Sequence, residues 1–189
     1  MVVFVSLASL WLPILLSAVF VFIVSSVMHM FLPYHKSDYR KLPDEGKVME
    51  ALRSAGVTPG PVYHFPHCDM KDMKKPEVQE KMKRGPIGLL QIMPSGVPNM
   101  GKFLGLWFVY SLVISIFVGY LTGRTRGPSD PYWEVFRVAG TSAFLGYGAA
   151  QVQDSIWKGQ AWIVTWKHVL DSLIYAVVTA ATFGWLWPR

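Results

Sequence analysis

With 52% hydrophobic and 14% aromatic side chains but only 16% charged ones, this chain of 189 residues is too apolar for an ordinary water-soluble domain, where charged residues run near about 25%. The net charge of +6 is concentrated: 12 of the 18 Lys and Arg lie between His35 and Lys102, interleaved with eight Asp and Glu, a solvated surface suited to anionic lipid headgroups rather than nucleic acid. A single cysteine, Cys68, excludes an intrachain disulfide, and no nucleotide loop, complete metal-ligand set or nucleophile-plus-base arrangement stands out.

The expected fold is an all-α membrane protein: a four-transmembrane-helix bundle with a small α/β extramembrane insertion between helices 1 and 2. Residues 1–32 carry no Lys, Arg, Asp or Glu, a run longer than a hydrocarbon core of about 30 Å requires. Pro13 is the expected break, leaving residues 2–11 as an interfacial lead-in and 12–32 as the first span. A secretory signal fits less well, because a positive leading region is missing and the apolar run is too long.

Residues 33–100 turn polar and punctuated. Pro43, Asp44 and Glu45 signal a helix start that Gly56 closes, and Pro76 and Glu77 signal a second that Gly85 closes. A β-like stretch follows each, at residues 62–65 and 87–93, giving the order helix, strand, helix, strand. His64, His67, Cys68 and Asp69 crowd metal-ligand side-chain types together, but their spacing matches no zinc pattern, so solvated loop residues are the simpler reading. Six methionines in this region suit either core filling or an adaptable contact surface.

The second span occupies residues 101–123, uncharged from 103 onward, and the fourth residues 162–187, ended by Pro188. The third, 132–153, contains Glu134, Arg137, Gln151 and Gln153, and crosses only if Glu134 pairs with Arg137 and small residues bury it among neighbours; a surface or re-entrant helix is the alternative. Small residues spaced by four form one stripe per helix: Ser111, Ser115, Gly119 and Gly123, then Ser142, Gly146 and Ala150, then Ser172, Ala176, Ala180 and Gly184. These stripes suit packing within the bundle, or self-association. Trp157, Trp162 and Trp166 should mark one interface and Trp185 and Trp187 the other. Lys36, Arg40, Lys41 and Lys47 after the first span place residues 33–100 in the cytoplasm by the positive-inside rule, against the pull of Arg124, Arg126, Arg137 and Arg189. The expected location is a bacterial inner membrane.

Three functions compete. With no chemistry forced by the residues, the first is an accessory or scaffolding subunit whose partners are the bilayer and other membrane subunits or a second copy. The second is a small oligomeric transporter or channel lined by Thr141, Ser142, Gln151 and Asp171. The third is a haem- or metal-binding redox protein using His29 and His168, which fall near the same membrane face, or the His64, His67 and Cys68 group. Asp171 and Lys167 stand four apart and are expected to pair on their helix, as are Asp154 and Lys158.

Overall fold

A computed structural model describes residues 4–189, so Val2 and Val3 of the expected lead-in lie outside the described residues. The Ser6 hydroxyl accepts the Ser9 amide and caps a 3-10 turn over Leu7–Leu10, which runs directly into helix α1, Trp11–Phe31. Pro13 does not break the chain as expected. It is the third residue of α1, in the first α-helical turn after the 3-10 winding, where proline is tolerated. What ends α1 is Pro33, which holds Leu32 extended and opens a 3-10 turn over Pro33–Ser37.

Helix α4, Met100–Thr125, and helix α7, Trp162–Trp185, are the other long apolar elements, and α4 is capped by Asn99 accepting the Lys102 amide at 3.1 Å. Three helices, Leu7–Phe31, Met100–Thr125 and Trp162–Trp185, are long and apolar enough to cross a bilayer. Helix α5, Tyr132–Tyr147, is not one of them. Its 16 residues measure about 24 Å, short of a core of about 30 Å, because the helix stops at Gly148 and continues only as a 3-10 turn over Ala149–Gln151 and the short helix α6, Val152–Trp157.

The chain divides into two compact units, residues 1–38 with 99–189, and residues 39–98. Residues 33–38, expected in the insertion, fold with the long helices instead. The second unit has the expected order: α2, Glu45–Ser54, capped by Asp44; β1, Val62–Phe65; α3, Pro76–Arg84; and β2, Gly88–Gln91. The strands pair antiparallel with Val62 opposite Gln91 and Phe65 opposite Gly88. Gly85 closes α3 at φ +61°, the left-handed region glycine favours. Only Pro66 is buried among residues 39–98.

In the helical unit the chain runs up and down. At one end the Val5 amide donates to the Gly123 carbonyl (3.0 Å), the Ser129 amide to the Pro188 carbonyl (2.9 Å) and the Trp187 indole to the Gly127 carbonyl (2.8 Å). At the other, the Ser155 and Thr165 hydroxyls meet at 2.6 Å, closing the turn from α6 into α7. Leu10, Val21, Val118, Val135, Ala139, Ala143, Ala180 and Phe183 fill the interior. The outward faces are apolar too, as Phe20, Ile23, Val113, Phe117, Leu173 and Val177 show, which water would not favour over so large an area.

The small residues of α4 line its buried face. Ser17 of α1 donates to Ser115 at 3.0 Å, a Cβ on Gly119 would meet Ile14 at 3.0 Å, and one on Gly123 would strike the Val5 carbonyl at 2.7 Å. Ser111 is buried, its carbonyl 3.4 Å from the Tyr147 hydroxyl. On α7, Ser172, Ala176 and Ala180 are buried, and Gly184 admits the Tyr132 ring. On α5 the buried face is displaced from the expected stripe: Val135, Ala139, Ala143 and Tyr147 point inward, Ser142 and Gly146 are half-buried, and Ala150 is exposed beyond the helix end. Gly140 and Gly148, outside that stripe, make the close approaches to Ala180 and Ser172 of α7, while Gly146 packs on Ile114 of α4. Trp157, Trp162, Trp166 and Trp185 are exposed at the helix ends, but Trp187 is buried.

Candidate functional site

Where the C-terminal end of α1 and the turn after it meet the N-terminal part of α7, six polar side chains and one aromatic hydroxyl converge in an otherwise apolar unit. His29 lies in the last turn of α1, where helix-end carbonyls favour positive charge or a donated hydrogen bond, and its Nδ1 is 3.0 Å from the Ser25 carbonyl. With the proton held there, the lone pair falls on Nε2. The turn after Pro33 then folds the chain back so that the His35 ring stacks on His29, with centroids 4.4 Å apart and an interplanar angle of 11°. The His168 ring, on α7, also stacks near His35, with centroids 5.6 Å apart.

Two carboxylates hold His35. Its Nδ1 is 2.6 Å from Asp38 Oδ2, and its Nε2 is 2.9 Å from Asp171 Oδ2. The first contact is a directed hydrogen bond. The second is close but misaligned, so that Nε2 and Oδ2 both lack a hydrogen-bond partner although both are buried. Asp171 Oδ1 accepts from the Tyr34 hydroxyl. Burial, and then the hydrogen bond to Asp171, push the Tyr34 phenol above its ordinary value, keeping it a donor.

Lys167 does not pair with Asp171 one helical turn on, as its spacing predicts. It reaches across to the turn after α1, donating to the Tyr34 carbonyl, to Ser37 Oγ at 2.8 Å and to Asp38 Oδ1 at 2.6 Å. Burial alone would raise the Asp38 carboxyl, but the hydrogen bonds from Lys167 and His35 outweigh it and hold Asp38 below the usual carboxylate range. The expected pairs elsewhere form, Asp154 with Lys158 at 2.7 Å and Glu134 with Arg137 at 3.1 Å, and Glu134 also takes Arg126 at 3.0 Å.

The cluster borders a cavity of about 930 Å³ between α1, α4, α5 and α7. Trp107, Tyr110, Tyr147, Tyr175, Leu104, Met30 and Met100 supply its aromatic and apolar wall. Ser25, Ser26, His29, Gln151, His168, Asp171 and Ser172 supply its polar groups. Most donors around the cavity are committed: Ser172 Oγ donates to the Tyr147 and His168 carbonyls, Ser25 and Ser26 to the Phe22 carbonyl, and Trp107 donates its indole N–H to Ser25 Oγ at 2.8 Å. The Tyr175 hydroxyl is different, since it is buried and has no partner among the described residues.

Of the residues singled out in the sequence, His29 and His168 come to the same end of the unit, where both line the cavity and each ring stacks near that of His35. His64 and His67 are exposed, His64 lying opposite Leu89 in the strand pair, and the Cys68 thiol faces the Met73 sulfur at 3.1 Å. Among the described residues the only group of three or more ligand-type side chains close enough to share an ion is His29, His35 and Asp171. Gln151 and Asp171 line the cavity, whereas Thr141 is exposed and Ser142 does not line it. His35, Asp38 and Tyr34 were not legible as site residues. The available signal was a His and an Asp three apart directly behind a helix-ending Pro33. Comparison with models of known families, with characterised proteins and with solved structures gives no match.

Proposed function

We propose that the protein is a membrane-embedded binding protein whose helical unit holds one amphipathic molecule, apolar tail among the aromatic side chains and polar head at the histidine and aspartate end. The cavity carries this reading. Its volume of about 930 Å³ suits a small organic ligand, and its wall sets the aromatic Trp107, Tyr110, Tyr147 and Tyr175 together with His29, His168 and Asp171. The buried Tyr175 hydroxyl without a partner is a second support, because such a donor costs about 1–3 kcal/mol until an acceptor arrives. Mass spectrometry of protein purified in mild detergent should find one amphiphile in near-stoichiometric amount, depleted in a Ser26→Trp variant that fills the cavity. Wild-type protein free of any retained amphiphile would overturn the proposal.

In this reading the protein sits in a bacterial inner membrane, residues 33–100 face the cytoplasm, and α5 with the turn after it makes a fourth crossing. What favours the crossing is the antiparallel course of α5 along α7, from Tyr132 against Gly184 to Gly148 against Ser172. Reporter fusions after Gly127 and after Arg189 should then report the same side.

A second reading, an accessory or scaffolding subunit, is favoured by the insertion. Residues 39–98 bury one proline and leave Val62, Phe65, Leu89 and Met93 exposed, more apolar surface than so small a unit carries at ease. Cross-linking in native membranes should capture a partner at this surface if that reading holds, and detergent extraction yielding only free monomer would count against it.

A further inference from the structure

We infer that His29, His35 and Asp171 form a binding site for one divalent first-row transition metal ion. Each residue offers one ligand atom, and the three atoms lie within 4.8 Å of one another. The two stacked rings hold their lone pairs in separate, nearly parallel planes, so a closed site with metal–ligand bonds of about 2.0–2.2 Å needs one imidazole turned out of the stack as the ligands draw together.

Three observations point to a metal. The outer hydrogen bonds are already those of a ligating set, with Nδ1 of His29 against the Ser25 carbonyl and Nδ1 of His35 against Asp38, each leaving Nε2 as the lone-pair nitrogen. The Asp171 carboxylate is fixed through Oδ1 by Tyr34, while Oδ2 is buried and unpartnered. Charge is also unbalanced, since Lys167 pairs with Asp38 and no Lys or Arg pairs with Asp171, leaving one negative charge in excess when the imidazoles are neutral.

A proton on His35 is the rival occupant, bridging both carboxylates. The geometry disfavours it, because Nε2 approaches Asp171 Oδ2 to 2.9 Å without aiming an N–H at it.

Two imidazoles and one carboxylate select against calcium and magnesium, which prefer all-oxygen shells, and for zinc, iron or cobalt. His168 is within reach of the set, its Nδ1 3.9 Å from Asp171 Oδ2, and the adjoining cavity leaves room for water or a guest's head group as a further ligand. The site does not depend on the cavity holding an amphiphile, and the two fail separately: metal uptake is read by elemental analysis, guest retention by mass spectrometry.

The test uses full-length protein in mild detergent, stripped with a chelator, reloaded with Zn²⁺ or Co²⁺ and passed through gel filtration. Wild type should retain about one equivalent, and Co²⁺ should give visible ligand-field bands. His29→Gln and Asp171→Asn should abolish both signals, and Asp38→Asn, which removes only the support behind His35, should weaken affinity about 10- to 100-fold. His64→Ala and Cys68→Ser should change nothing. Should Asp171→Asn fail to fold, His29→Gln, at the exposed rim of the cluster, carries the same reading. Substoichiometric wild-type binding, binding unchanged in His29→Gln, or loss confined to His64→Ala would each overturn the assignment.

Discussion

The helical unit and the insertion follow opposite ways of holding a fold together. In the first, backbones approach until a Cβ no longer fits at Gly123, Gly146, Gly148 or Gly184, and hydroxyls bond across the contact, as Ser17 does to Ser115. In the second, the helices have apolar faces but no buried residue, and the two strands pair with little behind them. Local signals therefore account for nearly everything in the insertion: an Asp44 cap, a proline opening α3 and glycine stops. Tertiary contact accounts for most of the helical unit.

The largest expected difference is in local opening. Amide hydrogen exchange in residues 39–98 should be faster by several orders of magnitude than in the middle of α1, α4 and α7, and limited proteolysis should cut there first. Equal protection in both units would break the comparison, and would mean that something covers the insertion.

Next come glycine substitutions of opposite sign. Gly123→Val puts a branched side chain onto the Val5 carbonyl, 2.7 Å from where a Cβ would stand, and backbone cannot yield as a side-chain tip can; a loss of about 3 kcal/mol or more is expected in detergent unfolding. Gly46→Ala meets nothing within 4 Å in α2 and should stabilise that helix by about 0.5–1 kcal/mol.

Asp171→Ala should cost about 3–5 kcal/mol, because it strands Tyr34 and His35 in a buried place, while Asp171→Asn should cost less. Ser115→Ala should cost only about 0.6 kcal/mol, the usual worth of a hydroxyl bond between membrane helices.

The smallest effect is a pH dependence in the insertion. Hydrogen bonds from the Lys47 side chain and amide lower the pKa of Asp44 in the folded state. Its contribution to α2 is therefore complete above the carboxylate's unfolded value and is lost as pH falls through the depressed one. Amide shifts at Lys47 should follow that titration, and Asp44→Asn should flatten it.

The comparison also explains what could be read in advance. Uncharged runs disclosed α1, α4 and α7, and caps and punctuation disclosed the insertion to within a few residues, because each of these signals is local. The buried face of α5 was misjudged by composition: Ser142, Gly146 and Ala150 have the right spacing, yet Ala139 and Ala143 on the neighbouring line face the core. The Lys167 pairing was misjudged because helical spacing favours Asp171, whereas the turn after α1 offers Lys167 three acceptors at once. His35 and Asp38 were read as the start of a soluble insertion, since nothing in their immediate neighbourhood announces a partner more than a hundred residues away.

That separation orders the birth of the cluster. His29, Tyr34, His35 and Asp38 leave the ribosome early, while the lysine and carboxylate that complete them lie 133 and 137 residues beyond Tyr34. Until α7 is made and packed, the end of α1 and the turn after it carry imidazoles and a carboxylate without their counter-groups, so the cluster is finished last, and any ion it takes enters an assembled protein rather than guiding its assembly.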